Sequence, residues 1–162
     1  MKRMLTFWCC LLFFICAVSV ACKKGDKGDP GNANAVQYTF GTQNLQTGFG
    51  TLVVSTTQDT MNNSAWFVYL HYQSLDRWYA LPGQGVGGNT TYRVSLGYVG
   101  GKVNLYIDKN GPGEIYDQAK VVRIYLNNTL PGGRIEAGAN QQGLPNIDFT
   151  DYLAVKHYYH LP

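Results

Sequence analysis

Cysteine is absent from this sequence after residue 22, and the four cysteines that exist are Cys9, Cys10, Cys16 and Cys22. A domain that begins near residue 35 therefore contains no disulfide, although small secreted domains commonly depend on such bonds. The stability of this domain must come from the burial of side chains. A domain of this length can bury about two-thirds of the surface that its unfolded chain exposes.

Charged residues are also scarce, at 14% of the chain. The formal net charge of +3 comes entirely from the first 33 residues, because the chain from Asn34 onward contains eight Lys or Arg and eight Asp or Glu. A neutral domain without a basic run lacks the electrostatic footprint of nucleic-acid binding. We therefore expect no nucleic-acid partner.

The N-terminus has the layout of a secretory signal peptide over residues 1–21. Lys2 and Arg3 are followed by an apolar run from Phe7 to Val18 and then by the small residues of positions 19–21. The alternative is a transmembrane anchor, because the uncharged stretch from Met4 to Ala21 reaches eighteen residues, and about 18 is the length at which spanning becomes possible. The strongly apolar part has the length of a signal peptide, which favours cleavage and export.

Cys22 directly follows the small residues, and this placement resembles the lipobox of bacterial lipoproteins. Ser19 stands where that family prefers Leu. The resemblance implies that Cys22 is the lipidated first residue of the mature protein and that the membrane is a partner through this anchor. Two or more acyl chains hold a protein stably at a bilayer. The expected location is the cell envelope, at the outer membrane, on its periplasmic or its surface side.

Residues 22–34 form the expected spacer between the anchor and the domain. Gly25, Gly28 and Gly31 recur at every third position, which resembles a short stretch of collagen-type Gly-X-Y sequence. Three triplets are too few to hold a triple helix, so the physical reading is a flexible, solvated spacer.

Strand signals recur through residues 35–162, which we predict to be one all-β domain. Seven runs are rich in β-branched and aromatic residues and are bounded by Gly, Pro and Asn: Val36–Phe40, Thr51–Thr56, Ala65–Tyr72, Trp78–Leu81, Thr90–Tyr98, Lys102–Ile107 and Lys120–Leu126. The pattern predicts an antiparallel β-sandwich of about seven short strands, with a barrel as the lesser alternative.

The pair Gly100-Gly101 predicts a tight hairpin between the fifth and sixth runs, because glycine readily adopts the positive φ that such turns need. Alternation assigns one set of side chains to the core face and a second set to the solvent face. The predicted core set is Tyr92, Val94, Leu96, Tyr98, Val103, Leu105 and Ile107, and the predicted solvent set is Arg93, Ser95, Lys102 and Asn104.

One helix is expected, at the C-terminus. It runs through Tyr152 and Tyr159, with Asp148 or Thr150 as its predicted N-cap and with Lys156 in its last turn. We expect this short helix to cover an open end or an edge of the sandwich.

Several segments together resemble the lipoproteins of Bacteroidetes that carry a short collagen-like leader. They are the lipobox, GDKGDPGNAN, TQDTMNNSAWFVYLHY, VVRIYL and DYLAVKHYYHLP, and they span nearly the whole chain. The resemblance implies the all-β architecture and the cell-envelope location given above. It assigns no activity to any residue.

Catalytic and metal-binding patterns are weak, and we expect no catalytic residue, no metal and no cofactor. The nearest to a nucleophilic triad is His71 with Ser74 and Asp76, which fits a strand followed by a turn better. Two helical pairs, Asp148 with Asp151 and His157 with His160, fit capping and solvation better than metal binding. Positions 108–111 lack the register of a calcium loop and fit a turn.

Aromatic residues are the better functional signal, since the chain has twelve Tyr and three Trp. Trp66 is flanked by apolar residues and is expected in the core, whereas Trp78 and Tyr79 precede a Gly-rich loop at 83–89. We single out Trp78 and Tyr79 as ligand-binding candidates, because aromatic faces stack on sugars and apolar peptides. The expected role is a non-catalytic binding, adhesion or structural module with a glycan or protein partner. The alternative is a small secreted hydrolase, for example one that acts on glycans.

Overall fold

Ten strands and two short helices make up the residues that the computed structural model describes, 34–126 and 145–162. The strands are β1 Ala35–Phe40, β2 Gln43–Asn44, β3 Gly50–Ser55, β4 Ser64–Tyr72, β5 Arg77–Leu81, β6 Gly83–Gln84, β7 Thr91–Val99, β8 Lys102–Asn110, β9 Ile115–Tyr116 and β10 Gln118–Tyr125. The helices are α1 Gln58–Asn62 and α2 Tyr152–Tyr158, and 3-10 turns cover Gln73–Leu75 and Val86–Gly88. The signal peptide, Cys22 and nearly all of the spacer lie outside the described residues.

All seven predicted strands are present, which confirms the all-β prediction. The sequence pattern did not reveal β2, β6 and β9, which have two residues each, or the five-residue helix α1. Helix α1 begins at the N-cap Thr57, whose side chain accepts a hydrogen bond from the Thr60 backbone N–H at 3.1 Å. It contains no fully buried residue, so it has no apolar stripe that a sequence could show.

The strands form two four-stranded antiparallel sheets and one two-stranded sheet. We call β1-β10-β4-β5 the covered sheet and β3-β8-β7-β6 the open sheet; β2 and β9 form the small pair. The predicted hairpin is confirmed, because Val99 pairs with Lys102 across Gly100 and Gly101, whose φ values are 58° and 78°. The described domain is an all-β, sandwich-like fold with a short C-terminal helix.

The main core lies between the two sheets. Its buried side chains come from alternate positions of the strands: Leu52, Val54, Tyr92, Val103, Leu105 and Ile107 from the open sheet, and Val68, Leu70, Leu81, Ala119 and Val121 from the covered sheet. The prediction that Leu96 belongs to the core is wrong. Leu96 is 45% exposed, because β6 is too short to flank this part of β7 and leaves Leu96 at the sheet edge.

A second core lies on the other face of the covered sheet, beneath the C-terminal segment. Tyr69, Val122 and Ile124 are buried there against Tyr152 and Val155 of α2. The placement expected for this helix is therefore wrong, since α2 covers a sheet face and not an end or an edge. The physical reason is that β4 and β10 carry apolar side chains on both faces, so both faces need to be buried.

The predicted N-cap of α2 is also wrong. Asp151 is the cap, and its Oδ1 accepts hydrogen bonds from the backbone N–H groups of Leu153 at 2.8 Å and Ala154 at 3.3 Å. Asp148 lies one turn earlier, where its Oδ1 accepts from the backbone N–H and the hydroxyl of Thr150 at 2.8 Å and 2.6 Å. Asp and Thr both favour such local hydrogen bonds, so the sequence alone did not distinguish a turn from a cap.

Among residues 34–126 and 145–162, the structure has no helix whose length and apolar character would allow it to cross a membrane.

Candidate functional site

Trp78 and Tyr79 are neighbours on β5 and point to opposite faces of the covered sheet. Trp78 packs beneath the C-terminal segment, and Tyr79 packs against the main core, where its ring meets Tyr116 edge-on at 6.1 Å. Both side chains are half-buried. The structure does not bring the two residues together, because successive side chains of a strand alternate between its faces.

The ring of Trp78 is held between two other rings. The imidazole of His71 lies 4.7 Å and the phenol of Tyr152 lies 4.4 Å from the indole, measured between centroids. The Nζ atom of Lys120 lies 5.1 Å from the centroid of Trp78 and 4.8 Å from that of Tyr152. These contacts show that Trp78 packs between the covered sheet and α2.

His71 lies between two carboxylates. Its Nδ1 is 2.9 Å from Asp117 Oδ2, and its Nε2 is 3.1 Å from Asp76 Oδ1. Burial lowers the pKa of His71, but the hydrogen bonds and charges of Asp117 and Asp76 raise it more, so the net shift is upward. Because both ring nitrogens bind carboxylates, neither is available to activate Ser74. The triad geometry is not formed, which agrees with the strand-and-turn interpretation.

Two of the other weak patterns, the Asp148 and Asp151 pair and positions 108–111, have structural roles. Asp148 and Asp151 serve the turn and the cap of α2, and in the two described ranges no three His, Cys, Asp or Glu side chains are placed to hold a metal ion. Positions 108–110 end strand β8, where Lys109 Nζ donates hydrogen bonds to the carbonyls of Gln46 at 2.7 Å and Pro112 at 2.8 Å. The ammonium group of Lys109 therefore occupies the side of this loop on which these two carbonyl oxygens lie.

Glu114 fixes the Gly-rich segment that follows β5. Its carboxylate accepts hydrogen bonds from the hydroxyls of Tyr92 and Tyr116, and its backbone N–H donates to the Tyr92 hydroxyl at 3.0 Å. The carboxylate lies where a side chain at Gly85 would be, with Oε2 2.5 Å from the position of a Cβ. Burial and the bond to Glu114 raise the pKa of Tyr92 to about 12, so this fully buried phenol stays protonated and is shielded from substrates.

An exposed aromatic side chain within a strand lies on the outer face of the open sheet, while Phe49, in the loop before β3, is more exposed still. Tyr106 of β8 is 38% exposed, and its ring lies over Gly97 of the neighbouring strand β7. Three ring atoms, Cε2, Oη and Cζ, lie 3.1, 3.8 and 3.9 Å from the position that a Cβ of Gly97 would occupy. The glycine gives the ring room to lie against the sheet, and part of the Tyr106 side chain remains exposed to solvent.

Small polar side chains surround Tyr106 on this face. Thr51 and Ser95 are its cross-strand partners, and the adjacent row holds Val53, Asn104 and Gly97. The row on the other side pairs Arg93 with Asp108, two opposite charges that balance each other. The outer face of the open sheet therefore carries one aromatic ring among hydroxyl and amide groups, with Lys102 as a further cation at its hairpin end.

Sequence reasoning missed Tyr106, although the signal was present. The alternation that assigned Lys102 and Asn104 to the solvent face also assigns Tyr106 to it, because all three are even-numbered positions of one strand. The two Trp residues drew attention to β4 and β5, where the C-terminal segment buries the outer face. That segment is remote in sequence from both strands.

Comparisons with protein families, with curated proteins and with solved structures find no match to this chain.

Proposed function

We propose that this chain is a lipid-anchored cell-envelope protein whose sandwich domain binds a glycan, without catalysis, on the outer face of the open sheet. The observation that carries the proposal is the ring of Tyr106, which lies over Gly97 and is partly exposed to solvent. A pyranose presents C–H groups on its faces and hydroxyls at its rim. A solvent-facing phenol surrounded by Thr51, Ser95 and Asn104 matches both parts of such a ring.

The balanced charges in the row beside Tyr106 favour a neutral saccharide. Arg93 and Asp108 are direct cross-strand partners, and such opposite-charge pairs satisfy each other. In the row next to Tyr106, Val53 is the one aliphatic side chain, and Val99 is exposed one row further along β7. A protein partner would require a larger apolar centre than this row offers.

Hydrolysis of the glycan is the alternative function, and it requires catalytic side chains that binding alone does not. Most glycosidases use two carboxylates that flank the scissile bond. Among the described strand residues that face outward from the open sheet, Asp108 is the one carboxylate, and it is the partner of Arg93. This composition favours binding over catalysis.

The anchoring part of the proposal rests on the sequence. Residues 1–21 have the layout of a signal peptide, Cys22 follows as in a lipobox, and the spacer to residue 34 separates the lipid from the domain. A tether of this kind would hold a glycan-binding surface close to the outer membrane, where envelope polysaccharides are concentrated.

The test is a glycan array probed with the purified full-length chain in detergent, followed by calorimetric titration of the best saccharide. Tyr106→Ala should lower the affinity by about tenfold to a hundredfold, because stacking on an aromatic ring contributes on the order of 1–3 kcal/mol in related stacking systems. Tyr106→Phe should retain most of the binding.

Leu153→Ala is the control for truncating an exposed apolar side chain, since Leu153 is also exposed but lies on α2, against the other sheet. The proposal is wrong if Tyr106→Ala binds the saccharide as the parent does. It is also wrong if the parent releases reducing sugar from the bound glycan at a rate above the background.

A further inference from the structure

Arg123 lies on the inner face of the covered sheet, towards the interior of the sandwich. It is the cross-strand partner of Trp66, which packs against the main core, and paired residues of antiparallel strands point to the same face. An arginine is rarely buried without a partner of opposite charge. The position of this side chain therefore requires an explanation.

Two buried polar atoms on this face have no hydrogen-bond partner. They are Arg123 Nε and Ser64 Oγ, and no donor or acceptor in the described part of the chain satisfies either one. Ser64 pairs with Tyr125, two residues beyond Arg123, so the two side chains are diagonal neighbours on one face. Leaving such groups unsatisfied costs free energy, and one shared partner with two acceptor oxygens would satisfy both.

An anion is the partner that suits this group best, because a guanidinium stays charged in proteins and offers only donors. Among the described residues, Asp59 of α1 is an acidic residue that contacts this end of β10 through Tyr125, and its oxygens already accept hydrogen bonds. Oδ1 accepts from Asn63 Nδ2 at 2.8 Å, and Oδ2 accepts a long bond from the Tyr125 hydroxyl at 3.5 Å. In residues 34–126 and 145–162, no ion pair involves Arg123.

Arg123 itself is half-buried, although its Nε atom is not accessible to solvent. A neighbouring element in the described part of the chain is α1, a five-residue helix with no fully buried residue, which packs through Met61. The exposed part of the Arg123 side chain is the side from which a small ligand would reach the guanidinium.

We propose that Arg123 and Ser64 form a binding site for a ligand carboxylate, with the indole of Trp66 as its apolar neighbour. The planar guanidinium matches the two oxygens of a carboxylate, and the Ser64 hydroxyl donates a further hydrogen bond to one of them. The site lies on the inner face of the covered sheet. It is separate from Tyr106 and does not depend on the proposed glycan binding.

The test measures the melting temperature of the purified full-length chain in acetate, in glucuronate and in phosphate, at constant ionic strength against chloride. Acetate probes the bare carboxylate and glucuronate the same group on a sugar, and glucose is the neutral control for glucuronate. We expect a saturable rise of about 3 °C with either carboxylate. Ser64→Ala should weaken the apparent affinity roughly fivefold.

Arg123→Met is the decisive variant, because two of its effects should have opposite signs. It should raise the melting temperature in chloride, since it replaces a buried N–H donor that has no partner by an apolar group, and it should abolish the response to carboxylates. A lower melting temperature of Arg123→Met in chloride would show that the guanidinium has a structural role. An equal carboxylate response in Arg123→Met, or a larger response to phosphate in the parent, would also overturn the proposal. Tyr106→Ala should keep the response, which separates this test from that of the glycan surface.

Discussion

Lys120 donates a hydrogen bond of 2.7 Å from Nζ to the hydroxyl of Tyr152, and this contact joins the central strand β10 to the C-terminal helix α2. The same hydroxyl donates to Gln37 Oε1 of β1 at 2.8 Å, so one phenol bridges two strands of the covered sheet. Burial lowers the pKa of Lys120 and raises that of Tyr152. The bridge lies beside Trp78, over which the ammonium of Lys120 is placed.

Tyr152→Phe should lower the free energy of unfolding by about 1–3 kcal/mol, because it leaves Lys120 Nζ and Gln37 Oε1 without their partner. Urea unfolding followed by tryptophan fluorescence measures the change, and Trp78 reports directly on the packing of α2. Tyr106→Phe is the control, since an exposed hydroxyl should change stability by no more than about 0.5 kcal/mol. Equal stabilities of Tyr152→Phe and the parent would mean that the bridge does not hold α2.

The pair of His71 and Asp117 should make stability depend on pH. The pKa of His71 is raised above its ordinary 6.5, so its contribution is complete below that pH and is lost as the pH rises through the raised value. Burial raises the pKa of Asp117, but the bond to His71 lowers it more; this contribution is present above the ordinary 3.8 and is lost as the pH falls through the lowered value. Both contributions are therefore present between about pH 4 and pH 6.5.

We expect the difference in unfolding free energy between the parent and His71→Gln to be about 0.5–1 kcal/mol near pH 5.5 and to shrink above pH 7. The range is modest because Asp117 is partly exposed and Asp76 is almost fully exposed. Urea titrations at pH 5.5, 7 and 8.5 give the profile, and His157→Gln controls for an unrelated histidine. A difference that grows with pH would contradict the assignment.

Leu105→Ala should cost about 2–5 kcal/mol, because Leu105 is fully buried between the sheets. Its cross-strand partner Leu96 is the matched control, since the same truncation at an exposed edge should cost less than about half as much. Neither value should change with reductant, because residues 34–162 contain no cysteine. Equal losses for the two variants would show that the edge of β7 is as well packed as its centre.

Cys22→Ala should prevent lipid attachment, because the expected acyl acceptor is the thiol that follows the signal. Metabolic labelling with a fatty acid and fractionation after a high-salt wash measure this in cells. The parent should carry label in the membrane fraction, and the variant should appear unlabelled as precursor or released protein. An unlabelled parent that stays in the membrane would favour an uncleaved transmembrane helix.

The sequence by itself determined the strands. Alternation and β-branched composition located all seven long strands, and Gly100-Gly101 located the hairpin of β7 and β8. These signals are local, since each depends on residues that are neighbours in the chain, and the backbone pleat converts them directly into faces. The absence of cysteine from residues 34–162 fixed, in the same way, that burial and not covalent linkage stabilises the domain.

Only the tertiary structure decided which faces are available for function. Period-two alternation separates Trp78 from Tyr79 and Tyr106 from Leu105, but it does not say which face a distant segment will cover. The segment at 145–162 buries the outer face of the covered sheet, including Trp78, and leaves Tyr106 exposed on the other sheet. Arg123 shows the same limit, because a charged residue on the inner face is recognised only when the register places it beside Trp66. Long-range packing, which depends on the total apolar area that all segments must bury, made these choices.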